Sequence, residues 1–197
     1  MGIGGKNVQS PLIQRVHISP DALARSPGHV NEHLGTVSDA LAATLALLQP
    51  LPHALVERWL AEPRGHVVID AWQHGFVSGE SAFRGRRLLD VAWVRLALLV
   101  DDPIAYLTPI GQLIARLVGW EQPHARSDQR WRDFLQGVKS GFAAGYGRSD
   151  AALMDVNAYL AEGVAWYLAD EQGLNMADPR LHKLLRATLF NKRFYQP

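Results

Sequence analysis

The sequence predicts an α+β fold, mostly helical, with a small sheet packed beside a buried central helix. Three observations carry that prediction. Apolar residues recur at helical spacing over most of the chain. Only His66 to Trp72, HVVIDAW, reads as a convincing strand, β-branched at its centre and bounded by Pro63, Gly65 and Gly75. The stretch from Arg86 to Val100, RRLLDVAWVRLALLV, is apolar on almost every side, as expected of a helix enclosed by the core.

In chain order, residues 1–10 (MGIGGKNVQS) read as a flexible leader, since Gly2, Gly4 and Gly5 precede no strand and Lys6 completes no phosphate loop. Ser19-Pro20-Asp21 and Ser26-Pro27-Gly28 are helix-start signals. From His29 a stripe of Leu34, Val37, Leu41, Leu45 and Leu48 predicts one long amphipathic helix ended by Pro50 and Pro52. This gives an N-terminal segment, residues 1–50, ahead of a domain spanning 51–197.

Within that domain Leu51 to Leu60 predicts a short helix, and a weaker extended segment around Phe76 and Val77 follows the strand. After the apolar stretch, Pro103 and Pro109 frame a turn, and Ile110 to Val118 and Trp131 to Phe142 are helical patterns separated by the polar residues 121–129. Ser149 and Asp150 cap a helix whose stripe runs Leu153, Val156, Leu160, Val164 and Tyr167 and stops at Gly173. Asp178 as N-cap and Pro179 at the first position open the last helix, with Leu181, Leu184, Leu185 and Leu189 on one face.

Composition narrows the function classes. Hydrophobic residues at 48% and charged residues at 20% over 197 residues describe one ordinary globular core. Twenty basic residues against nineteen acidic ones leave a formal net charge of +1, so no long-range field favours nucleic acid or an anionic membrane. The apolar runs Leu41–Leu48 and Val91–Val100 fall short of the ~20 residues a bilayer requires. Absence of cysteine excludes disulfides, thiolate metal sites and a cysteine nucleophile. The first ten residues lack the apolar core of a signal peptide, which points to a cytoplasmic location or export without a cleaved signal.

The order of segments carries more. LPHALVERWL leads into HVVIDAW and the glycine-bearing FVSGES; then come the apolar stretch, intervening helices, YGRSDAALMDVNAYLAEGVAWYL and a closing DPRLHKLL. From Leu51 to Leu189 this order resembles the zincin-like catalytic domain of metallopeptidases of the anthrax lethal factor and Pro-Pro endopeptidase type. In that family a strand precedes an HExxH helix and a later helix supplies a glutamate ligand. Carried onto this chain, the resemblance places Asp90, Val91 and Val94 at the i, i+1 and i+4 positions of His, Glu and His, and Ala158 at the glutamate ligand. Zinc hydrolysis requires three protein donors, an open position for water and a carboxylate to take its proton. Valine and alanine offer no lone pair, so the resemblance implies a zincin-like pseudoenzyme without cofactor. Its vestigial cleft, with Trp72, Phe76, Trp93, Tyr146 and Glu162, would bind a protein or peptide along an edge strand.

Simpler readings stand beside these. Asp90 would be paired with Arg87, Arg95 or another arginine, since a lone buried carboxylate is costly. Glu162 would be a solvated helix residue and Tyr146 a loop aromatic. A competing zinc-hydrolase reading rests on His29-Val30-Asn31-Glu32-His33, an HxxEH motif that puts two imidazoles on one helical face but names no third ligand. A helical adaptor unrelated to peptidases is the third possibility.

Overall fold

A computed structural model describes residues 11–123 and 127–196. The leader, residues 1–10, lies outside the described residues. A 3-10 turn, Pro11–Arg15, enters strand β1 (Val16–Ile18). Helices α1 (Gly28–Leu34), α2 (Val37–Leu47) and α3 (His53–Ala61) follow, then strands β2 (His66–Asp70), β3 (Gly75–Phe83) and β4 (Arg86–Arg95). The remainder is helical: α4 (Leu96–Asp101), α5 (Pro103–Val118), α6 (Gln129–Ala143), α7 (Asp150–Met154), α8 (Val156–Ala169), α9 (Glu171–Ala177) and α10 (Pro179–Ala187), closed by a 3-10 turn at Lys192–Tyr195. The fold is mostly helical α+β, as the sequence predicts.

The sheet runs β1-β2-β4-β3, with β1, β2 and β4 parallel and β3 antiparallel to β4 at the edge. Here the largest correction falls. Arg86 to Arg95 is a strand, not a helix, so Asp90, Val91 and Val94 do not occupy helical i, i+1 and i+4 positions. Val91 and Val94 instead project to opposite faces, Val94 into the main core and Val91 into a smaller cluster with Val68, Leu88 and Trp93. A strand flanked on both sides and covered on both faces is apolar at successive positions, and periodicity alone does not separate it from a buried helix. The deciding signal was local. Arg84 (φ +50°) and Gly85 (φ +73°) form a two-residue connection of the kind that joins tight hairpins, between Phe83 and Arg86, which pair.

Other boundaries move for reasons of capping. The predicted helix from His29 to Leu48 is two helices, broken at Gly35 (φ +59°), where Thr36 and Asp39 form a reciprocal capping box. Pro103 and Pro109 do not frame a turn: Asp102 caps α5 with Pro103 in its first turn, and Pro109 sits inside the helix. The predicted helix ending at Gly173 is three, because the side chains of Asp155 and Asp170 accept hydrogen bonds from Ala158 N and Gly173 N and start α8 and α9. The last helix stands as predicted, with Asp178 accepting from Leu181 N.

One face of the sheet, carrying Val67, Ile69, Ala92 and Val94, packs on the helical core. Leu12, Val16, Val30, Ala40 and Leu48 belong to that same core, so the described residues of the N-terminal segment are integral to it. Helix α5 is the central buried helix, with Tyr106, Leu107, Ile110, Leu113, Ile114 and Val118 fully enclosed. No helix among the described residues is long and apolar enough to cross a membrane.

Candidate functional site

Helices α5 and α8 cross in close contact. A β-carbon placed on Gly111 would lie 2.2 Å from the carbonyl oxygen of Ala161, so the two backbones nearly touch there. Residue 119, just past α5, approaches Asn157 at the start of α8, so the helices run in opposing directions. Where α5 ends and α8 begins, a cleft of about 540 Å³ opens, with Phe76 of β3 as its third wall. Small residues make the room: Ala115 and Gly119 on one side, Ala158 on the other.

Arg116 and Lys139 bring positive charge to the lining, Glu121 and Asp155 bring carboxylates, and Gln112 and Asn157 bring neutral polar groups beside the apolar Phe76, Trp120 and Val156. Arg116 is the only charged residue of α5 before its end. Its Nε donates to Asp90 Oδ2 at 3.1 Å, and its guanidinium also meets the exposed Glu121 at 3.4 Å. The ammonium of Lys139, from α6, lies 5.5 Å from the centre of the Trp120 ring, a cation–π distance. At the α8 side, Asp155 Oδ1 accepts from Ala158 N at 2.8 Å.

Asp90 is 2% exposed and anchors the hairpin. Ser78 and Gly79 of β3 stand opposite the single residue Asp90 of β4, a bulge in which Asp90 itself has φ +54°. Its Oδ1 accepts from Gly79 N at 2.8 Å, while Oδ2 meets Arg116 and, at 3.4 Å, Arg64. The arginine partners of the simpler reading are thus present, but they are Arg64 and Arg116, brought in from other elements.

The remaining sequence-derived positions divide. Ala158 lines the cleft, as does Phe76. Trp72, 67% exposed, and the buried Trp93 share a separate hollow of about 280 Å³ at the C-terminal ends of β1 and β2. Glu162 accepts from Arg148 N and Ser149 N, both at 3.0 Å, and so holds the loop before α7 rather than facing solvent. Tyr146 is half-exposed on that loop, with the Arg180 guanidinium 5.9 Å from its ring. Beneath the loop, Tyr159 donates to Asp178 Oδ2 at 2.5 Å in the interior, and burial with this carboxylate pushes its phenol well up.

His29 and His33 do share α1, yet His29 Nε2 lies 2.9 Å from Asp101 and His33 Nδ1 meets the carbonyl of His29 itself. Among the described residues no three His, Asp or Glu side chains group as a metal site requires. The sequence reading missed Arg116, Gly119 and Lys139. A lone arginine in an apolar helix that ends in Gly-Trp was the available signal. Comparison with protein families, with curated proteins and with solved structures finds no match for this chain.

Proposed function

We propose that this protein is a non-catalytic, metallopeptidase-like binding module that takes an extended peptide along β3 and one of its apolar side chains into the cleft. One observation carries the reading: the sheet ends in β3, which pairs with β4 alone, and the cleft opens against that strand at Phe76. An edge strand presents unpaired N–H and C=O groups that an extended chain can extend by main-chain pairing, while the pocket beside it reads a side chain. Volume suits the role, since pockets for compact ligands begin at roughly 300 Å³.

With Arg86–Arg95 a strand, the resemblance no longer rests on Asp90, Val91 and Val94 as helical positions, and what favours it is the arrangement around α5. The helix beside the edge strand and crossing a second helix is α5, and the positions facing one another there are Ala115 and Gly119 against Ala158. None of these has a donor for a metal. The guanidinium of Arg116 does not accept protons at physiological pH.

Selection of a displayed library of unstructured peptides on the full chain tests the reading. Binders should lose affinity at least roughly tenfold to an Ala158→Phe variant that fills the cleft, with no change in melting behaviour. Peptides that bind that variant equally well, or that bind only as helices, would overturn it.

A further inference from the structure

On the sheet face away from the helical core, the bent tip of the β3–β4 hairpin lies over strand β1. Phe83 reaches 5.8 Å from the His17 ring and 6.0 Å from Trp93. Between the tip and the sheet is a hollow of about 340 Å³ lined by His17, Phe83, Arg84, Arg86 and Leu88. No carboxylate lines it, and neither Arg84 nor Arg86 has an ion-pair partner among the described residues. The nearby pair Arg87–Glu80, at 3.1 Å, shows that carboxylates are within reach of this hairpin and go elsewhere.

The histidines extend the cationic wall inward through a fixed relay. Arg15 can only donate, so its contact with His66 Nε2 at 3.3 Å leaves that nitrogen as acceptor and puts the ring proton on Nδ1. His66 Nδ1 then donates to His17 Nε2 at 3.0 Å. That leaves His17 with its proton on Nδ1, an unengaged donor on a ring that lines the hollow. Burial and the positive charge of Arg86 and Arg15 hold His17 below its ordinary range; burial, Arg15 and His17 push His66 down to about 4. The site therefore carries unneutralised positive charge while its imidazoles remain neutral donors.

We propose that this hollow binds a small phosphate monoester, its dianionic head held by Arg84, Arg86 and the His17 N–H, and a planar ester group lying against Phe83. A phosphate head has three oxygens pointing in different directions and suits three donors lining one hollow, whereas one arginine fork would suffice for a planar carboxylate. Phe83 supplies the apolar wall for the ester group, and Arg87 and Glu80 neutralise one another outside.

The test is a titration of the full chain at neutral pH with phenyl phosphate, inorganic phosphate and benzoate, read from the imidazole nitrogen resonances of His17 and His66. Phenyl phosphate should give saturable shifts with a Kd of roughly 1 mM or tighter, and should raise the pKa of His17. Inorganic phosphate should bind several-fold more weakly and benzoate roughly tenfold more weakly. The double variant Arg84→Asn, Arg86→Gln should lose roughly tenfold or more in affinity while melting no lower than the parent. Three results would overturn the proposal: shifts that sodium chloride reproduces, phenyl phosphate binding no better than benzoate or inorganic phosphate, or undiminished affinity in the double variant.

Discussion

The α5–α8 crossing and the β3–β4 hairpin meet at Arg116, yet they are held by opposite means. At the crossing, Gly111 sits under Ala161 with no polar side chain between them, and stability comes from close contact of enclosed apolar residues. In the hairpin, the nine-residue edge strand pairs with β4, and at its bulge one buried carboxylate ties the Gly79 N–H to arginines from elsewhere. Packing fixes the first region, and the cleft opens where that packing ends. An ion network ties the second to the core, and two of the smaller hollows touch the hairpin tip.

The contrast is broken most severely at Gly111. Gly111→Val places a side chain where even a β-carbon overlaps the Ala161 carbonyl, and relief requires separating two helices where Ile110, Ile114, Leu160, Ala161 and Val164 are buried. A loss of more than ~3 kcal/mol in chemical denaturation is expected, beyond ordinary overpacking, together with loss of the cleft at the same crossing. A variant as stable as the parent would mean the backbones do not approach as described.

Next in size is the hairpin's anchor. Asp90→Asn keeps a residue that tolerates φ +54° but removes the charge that faces Arg64 and Arg116. Breaking a fully buried pair costs about 3–5 kcal/mol; with both arginines partly solvated, about 2–3 kcal/mol is expected in denaturation, reduced by high salt. Exchange of the Gly79 amide should accelerate more than exchange in β2. Equal acceleration across the sheet would show that Asp90 serves the whole core.

These two sites also show what could be read from sequence. The closing helix was legible because Asp178 and Pro179 mark its start locally, and β2 because Val67, Val68 and Ile69 sit between turn residues. β4 was not, since Val91, Ala92, Trp93 and Val94 are enclosed on both faces and mimic a buried helix. Ala158 was singled out through the resemblance alone, as the position of an absent glutamate ligand. Its counterparts Ala115 and Gly119 were not, because their importance arises from a contact between segments some forty residues apart. Asp90 could be assigned an arginine partner on energetic grounds, but which arginine is a property of the tertiary fold.

A smaller effect separates the hairpin face from the core by pH. His66, at about 4, and His17, also lowered, are neutral in the fold, whereas in the unfolded chain a histidine titrates near 6.5. As pH falls from about 6.5 towards 4, the unfolded chain takes up protons that the fold refuses, so stability present above 6.5 is progressively lost. Because both rings are about half solvated, the loss should be roughly 1–2 kcal/mol rather than the full value of the shift. A His66→Gln variant should flatten this slope of stability against pH. An unchanged slope would place the acid sensitivity elsewhere, for instance at Asp70, whose carboxylate is held low by Gln73 N, the Ser19 hydroxyl and Trp72 N.

The smallest expected effect is a gain. Arg84 occupies φ +50° immediately before Gly85, a position where asparagine is favoured and arginine is strained. Its side chain is exposed and has no ion-pair partner among the described residues, so Arg84→Asn loses no ion pair and relieves the backbone. A stabilisation of about 0.5 kcal/mol is expected in thermal denaturation. Strain retained at a position that a common substitution would relieve is the pattern expected where a side chain serves binding rather than folding. If Arg84→Asn instead destabilises, the guanidinium contributes to the fold itself, and the unneutralised charge at the hairpin tip has a structural explanation that needs no ligand.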